Sequence, residues 1–275
     1  MTTAEKLERQ HQEDLQRLRG FRLLDDDFMT KCLEGETACM ELILRIVLEK
    51  ADLQVTDVRT QVFVENLLNR SVRLDVLATD SEGRKINVEI QRADRGAGRH
   101  RARYNSSIMD VNLLPKSADF KDLPETYVVF ITENDVLGGG LPLHRIGRYD
   151  YSAGVPFDDG AHIIYVNGAY RGDSPVGQLM HDFACTDPSE MHYSALADRV
   201  RFYKESKEGV AIMCKVMEDM REQSLKEGIK EGRRESSMET AKRMLAAGSF
   251  SLEKIAELVG LDLDEVKKLQ LAENA

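Results

Sequence analysis

Two short segments of the chain alternate apolar and polar residues, which is the period of a β-strand with one buried face. They are residues 72–78 and 86–91. The residues between them include Gly83, which suits the left-handed position that closes a three-residue hairpin loop. The pattern therefore predicts a β-hairpin in which Asp80 pairs with Arg84.

The polar side of this predicted hairpin carries an acid on each strand. Asp75 lies opposite the apolar side of the first strand, and Glu89 and Gln91 lie opposite that of the second. If Asp80 pairs with Arg84, Asp75 stands directly across from Glu89, with Cβ atoms about 4.5–5.5 Å apart. Like charges so placed destabilise a sheet unless a cation lies between them, and Mg²⁺ prefers carboxylate oxygens. The pair is therefore either a metal site or two solvated acids on an exposed hairpin face.

The rest of the pattern predicts a mixed α/β core rather than a doubly wound repeat, because one helix precedes three strands, followed by a helix and a strand. A continuous apolar run at residues 126–131 is typical of a fully buried strand. The predicted elements are a helix over 36–49, strands over 61–67, 72–78 and 86–91, a helix over 99–114, strands over 126–131, within 141–151 and over 162–166, and helices over about 175–185 and 189–205.

Four segments follow from composition and charge. Residues 1–20 form a polar, mixed-charge lead, and residues 21–206 form the main domain. Residues 207–238 are predicted to be a charged helix or a linker, because each helical glycine there costs about 1 kcal/mol. Residues 239–275 form a small helical module that resembles a helix-turn-helix.

The bulk composition indicates a soluble globular protein, with 42% hydrophobic and 31% charged residues. The net charge of -10 is not that of a protein that coats nucleic acid, although it does not exclude a local basic groove. The four cysteines lack metal-binding spacing and are predicted to be reduced thiols. The histidines also lack ligand-like spacing and are predicted to be structural. With no long apolar run and a charged N-terminus, we expect a cytoplasmic protein without a membrane anchor.

Several short sequence motifs occur together, and their combination is more specific for one family than any single motif is. The chain resembles the PD-(D/E)XK nuclease family transposases, which are related to recombination-promoting nucleases. The phrases that carry the resemblance are Asp25-Asp26-Asp27-Phe28-Met29, Arg73-Leu74-Asp75, Val88-Glu89-Ile90-Gln91, Arg103-Tyr104, Phe130-Ile131-Thr132-Glu133-Asn134-Asp135 and the stretch 191–213.

The resemblance implies a restriction-endonuclease-like α-β-β-β-α-β core within residues 21–206 and metal-dependent cleavage of DNA. It places the central acid at Asp75 and the following acid at Glu89, which would bind Mg²⁺ or Mn²⁺. The first acid falls on Glu41, with Glu36 as an alternative. The superfamily's lysine falls on Gln91, which can donate a hydrogen bond but brings no charge.

The segment after the second strand is rich in arginine, which suits bidentate phosphate contacts. These arginines either bind DNA or solvate a loop and helix face. The terminal module carries more acids than bases over residues 251–271, so we expect packing or homo-oligomerisation there rather than DNA binding. The resulting hypothesis is an endonuclease of transposition or recombination, and the alternative is an inactive nuclease fold used for nucleic-acid binding or assembly. The candidate DNA-binding residues are Arg92, Arg95, Arg99 and Arg103.

Overall fold

The computed structural model describes residues 3–66, 70–92 and 94–273. A six-stranded mixed sheet lies at its centre, in the order β1-β2-β3-β4-β8-β5, and a separate two-stranded ribbon pairs β6 with β7. The strands are β1 Val55–Val64, β2 Val72–Asp80, β3 Lys85–Gln91, β4 Thr126–Thr132, β5 Leu143–Ile146, β6 Tyr149–Asp150, β7 Val155–Pro156 and β8 Ala161–Asn167. The helices are α1 Thr3–Arg19, α2 Asp26–Leu33, α3 Thr37–Leu48, α4 Arg99–Leu113, α5 Pro175–Ala184, α6 Ser194–Glu205, α7 Lys207–Ala247, α8 Leu252–Val259 and α9 Leu263–Glu273.

The predicted core order is confirmed by α3, β1, β2, β3, α4 and β4. The first three strands are antiparallel, and β3, β4 and β8 are parallel. A parallel pair needs a crossover connection, and α4 provides it between β3 and β4. This helix packs on the sheet through Ala102 and Met109, which join Phe130 and Tyr165 in one buried cluster.

The β2–β3 hairpin has the predicted register over its paired residues. Thr79 pairs with Lys85 and Val76 with Val88, and Gly83 in the turn has a φ of 82°. The ladder ends at the Val76–Val88 pair, one step before Asp75 and Glu89.

The expectation of one exposed hairpin face is wrong. All residues of β3 from Ile86 to Ile90 are buried, polar ones included. Both faces of this strand are therefore covered, and Glu89 is fully excluded from solvent. The alternative of two solvated acids is excluded for Glu89 by this burial.

The first strand begins earlier than predicted. It spans Val55–Val64 rather than residues 61–67, of which residue 67 lies outside the described part of the chain. A register irregularity between Val55 and Asp57 interrupts the alternation at the start of this strand, so the sequence pattern does not reveal where it begins. Exposed polar residues in this sheet-edge strand further hide its period.

The chain divides into two compact units, Met1–Cys214 and Lys215–Ala275, and the division falls within α7. The segment 207–238, predicted to be a charged helix or a linker, lies wholly within α7 and is helical. In the second unit, α8 and α9 share a core formed by Ala241, Ile255, Val266 and Leu269. No helix in the described residues is long and apolar enough to cross a bilayer. The four-segment domain division stays a prediction.

Candidate functional site: a buried acid pair beside a basic cleft

The two predicted acids lie where the β2–β3 ladder stops. There the Asp75 Oδ2 accepts a hydrogen bond from the Ile90 N–H at 3.0 Å, so a side chain takes the place of a backbone acceptor for this N–H. Asp75 is 8% exposed and Glu89 is 0% exposed. The sequence therefore places two carboxyl groups inside the protein, at the end of a strand pair.

Burial and mutual repulsion govern the protonation of this pair. Burial, followed by the negative charge of Glu89, raises the pKa of Asp75 to about 7, although the hydrogen bond from the Ile90 N–H opposes this shift. Burial also raises the pKa of Glu89, and the nearby Arg101 opposes that shift. Without a cation the pair therefore holds protons more tightly than free carboxyl groups do.

This raised pKa predicts that Asp75→Asn stabilises the protein at alkaline pH. Between about pH 4 and 7 the folded state binds more protons than the unfolded state, so wild-type stability falls as the pH rises through that window. Asparagine does not ionise and can still accept from the Ile90 N–H. We expect its free energy of unfolding to exceed wild type by on the order of 1–3 kcal/mol at pH 8, and to match it near pH 4. Urea denaturation at both pH values measures this difference.

The matched control is Asp57→Asn, a partly exposed acid on β1 that pairs with Arg59. Exposed pairs contribute little, so its effect should stay within about 0.5 kcal/mol at both pH values. An Asp75→Asn protein less stable than wild type at pH 8 would contradict the assignment of a strained, buried carboxyl group.

Arg101 is the main site residue that the sequence prediction did not assign. Its Nη2 lies 2.6 Å from Glu89 Oε2, and its Nη1 lies 3.4 Å from Gln91 Oε1 and 3.2 Å from the Gly96 carbonyl oxygen. One guanidinium thus bridges two of the predicted catalytic residues. The available signal was its place in the arginine-rich segment after the second strand, on a helix predicted to lie on the sheet.

The Gln91 side chain is positioned by the turn that follows β3, where Gly96 passes close to it. A Cβ on Gly96 would lie 1.8 Å from Gln91 Oε1, so any larger residue at position 96 would displace the Gln91 side chain from this position. The amide of Gln91 therefore lies between Gly96 and Arg101, on the same face of β3 as Glu89.

Unpaired polar atoms mark the site as one that a cation or water would complete. Glu89 Oε1 has no hydrogen-bond partner among the described residues, and neither do the side-chain atoms of Asn87 and Asn105. A buried acceptor without a donor costs about 1–3 kcal/mol, and more when it is charged. The oxygen-rich donor set fits a hard divalent cation.

A third acid approaches the pair from α2. The charge of Asp26 raises the pKa of Asp75, so the N-terminal end of α2 lies near the site. Gln61 donates to Asp26 Oδ1 at 3.3 Å and holds this carboxylate against β1. At the level of sequence, Asp26 belongs only to a motif that carries the family resemblance, and no role in the site was predicted for it.

Glu41 is not brought to the pair. Its Oε2 accepts from the Val55 N–H at 3.0 Å, and its Oε1 pairs with Arg45 at 2.6 Å. Val55 stands opposite Asp80, five residues along β2 from Asp75, which is about 16 Å of extended strand. The alternative, Glu36, pairs with Arg199 at 3.0 Å.

The four predicted DNA-binding arginines differ in how they are engaged. Arg92 pairs with Asp25 at 2.8 Å and Glu133 at 3.5 Å. Arg99 and Arg103 are exposed, and within the described part of the chain neither forms an ion pair. The side chain of Arg95 lies outside the described residues.

A basic cleft of about 610 Å³ lies between the start of β2 and α4. Arg101 forms part of its wall and thereby connects the cleft to the acid pair. None of its lining residues is acidic, so its charge is positive. The cleft is lined by Arg70, Ser71, Val72, Arg73, His100, Arg101, Tyr104 and Asn105.

Comparison with known proteins gave one family. The model of the PD-(D/E)XK nuclease family transposase matches residues 28–167, which contain the whole six-stranded sheet, the acid pair and α4. A search of curated proteins found no match, and a search of solved structures found none either. The match covers half of the chain together with the expected core, and the chain therefore belongs to the PD-(D/E)XK nuclease family transposases.

Proposed function

We propose that the chain is a divalent-metal-dependent endonuclease that hydrolyses DNA phosphodiester bonds during transposition or recombination. The observation that carries this proposal is the buried pair of Asp75 and Glu89 next to the basic cleft. Burying two like charges is costly, and metal binding is a physical reason for keeping them together.

Asp75 and Glu89 are the residues that would hold Mg²⁺ or Mn²⁺. When bound, such an ion neutralises phosphate charge and lowers the pKa of a coordinated water. Two features support this role: the Ile90 N–H orients the Asp75 carboxylate, and Glu89 Oε1 has no hydrogen-bond donor among the described residues. Asp26 adds negative charge from α2 and is a candidate for an outer contact through water.

Arg101 supplies the positive charge that Gln91 lacks. In the superfamily pattern this strand position carries lysine, whereas here the cation comes from α4 and reaches Gln91 and Glu89 together. With a cation held by Glu89, the Arg101 guanidinium would be free to bind a phosphate oxygen of the substrate. Gln91 would orient the attacking water or a phosphate oxygen by hydrogen bonding.

The basic cleft would hold the DNA backbone. Arg70, Arg73, Arg99 and Arg103 carry exposed side chains that can reach phosphates, which positions DNA without reading its sequence. Arg92 contributes less, because Asp25 and Glu133 already offset its charge. Arg95 stays a predicted contact.

The second candidate function is an inactive nuclease fold that binds nucleic acid. Two observations favour it: Gln91 carries no charge, and Arg101 already neutralises Glu89. In that protein the guanidinium would replace the metal permanently.

A metal-dependent cutting assay separates the two functions. We expect purified protein to nick supercoiled DNA with Mg²⁺ or Mn²⁺ and not with a chelator, and calorimetry to detect a Mg²⁺ site that Glu89→Gln removes. Glu82→Gln, in the exposed turn of the same hairpin, is the matched control and should keep both properties. DNA binding without cutting or metal binding would favour the inactive fold.

A further inference from the structure

We infer that His181, Asp182 and His192 form a second metal site, which binds Zn²⁺ or a similar transition-metal ion. The site lies where α5 ends and the chain turns toward α6. It uses none of the residues of the proposed nuclease centre. One donor atom from each of the three residues lies within 4.8 Å of the others.

Asp182 organises the site from the inside. It is fully buried, and its two oxygens accept the N–H groups of His192 and Tyr193, each at 2.8 Å. These bonds fix the segment before α6 against the last turn of α5. Because each carboxylate oxygen has two lone pairs, Asp182 retains the capacity to bind an ion.

The two imidazoles converge on that carboxylate. The ring centroids of His181 and His192 are 4.7 Å apart at an interplanar angle of 66°. His181 Nδ1 lies 3.3 Å from Asp182 Oδ1. Zinc bonds of about 2.0–2.1 Å in tetrahedral geometry place neighbouring donors about 3.3 Å apart. The distance between His181 and Asp182 already matches this value, and the third donor, on the exposed His192 ring, lies within 4.8 Å of both.

The donor set selects the class of ion. Two imidazoles with one carboxylate suit Zn²⁺, Co²⁺ or Ni²⁺, whereas Mg²⁺ favours sites made of oxygen ligands. The C-terminal end of α5 adds the negative pole of its helix dipole, which favours a cation. Three protein ligands leave one position for water. Such an ion would tie the end of α5 to the segment before α6.

Titration of the full chain with Zn²⁺ in excess Mg²⁺ tests the inference, because Mg²⁺ then occupies the acid pair. We expect one Zn²⁺ per chain. Loss of a ligand's outer-shell support alone costs 10–100-fold in affinity, so His181→Ala and His192→Ala should each weaken binding at least about 100-fold. His11→Ala is the matched control, an exposed histidine on α1, and should bind as wild type does.

Several results would overturn the inference. They are no Zn²⁺ binding by the wild-type chain, unchanged affinity in both variants, and a thiolate-to-metal absorption band with Co²⁺, which would place the ion on a cysteine. Circular dichroism checks that each variant is folded. If either alanine variant fails to fold, His192→Gln keeps a polar side chain there and must still lose the ion.

Discussion

Replacing Asp75 by alanine is expected to reduce Mg²⁺-dependent DNA cutting at least about 1000-fold. The variant keeps one of the two carboxylates that we propose to bind the metal, and Glu89 keeps its ion pair with Arg101. Metal ions stabilise the transition state of phosphoryl chemistry by several kcal/mol, and each 1.36 kcal/mol lost slows the reaction tenfold. The measurement is the rate at which supercoiled plasmid is converted to nicked and linear forms.

The control for this experiment is Asp57→Ala, which removes a partly exposed carboxylate from the neighbouring strand β1. It should cut as wild type does. Undiminished cutting by folded Asp75→Ala protein would remove Asp75 from the mechanism and would point to a contaminating nuclease or a different centre. Asp75→Asn extends the comparison, because it should also lose cutting while gaining stability at pH 8.

The hairpin and its acids could be predicted because their signals are local. Alternation of apolar residues in β2 and β3 sets which side each residue takes, and Gly83 sets the turn. The apolar run of β4 and the amphipathic pattern of α4 complete the core order. These features depend on neighbours within a few residues, which a sequence displays directly.

The depth of the site could not be predicted in the same way. Alternation shows that Glu89 opposes the apolar side of β3, but it does not show that the other side is covered as well. Arg101 and Asp26 reach the pair from separate helices, so their roles depend on packing across the sheet. The placement of Glu41 depends likewise on the start of β1, which the pattern put several residues too late.

Burial and function are connected in this centre through charge. A pair of acids with raised pKa values destabilises the folded protein at neutral pH, so the apolar packing around it must offset that cost. Arg101 reduces the cost by pairing with Glu89, and it does so from a position open to the basic cleft. The same guanidinium therefore serves the stability of the metal-free protein and, in our proposal, the substrate complex.

Arg101→Ala is expected to slow cutting about 100-fold or more and to lower the free energy of unfolding by about 1–3 kcal/mol. The activity loss follows because a preorganised donor to a developing charge contributes 10²–10³-fold. The stability loss follows because Glu89 is left buried without its partner. Mg²⁺ binding should instead be unchanged or tighter, since the guanidinium no longer competes for Glu89 Oε2.

That opposite movement of metal affinity and cutting rate is what distinguishes a functional role from structural damage. Damage to the fold would weaken both, whereas Arg101→Lys, which keeps a point charge, should recover part of the cutting. Arg59→Ala, an exposed arginine on β1, is the matched control and should leave both unchanged. If Arg101→Ala cuts faster than wild type, Arg101 inhibits the enzyme by competing with the metal for Glu89. The positive charge at the phosphate must then come from another arginine of the cleft.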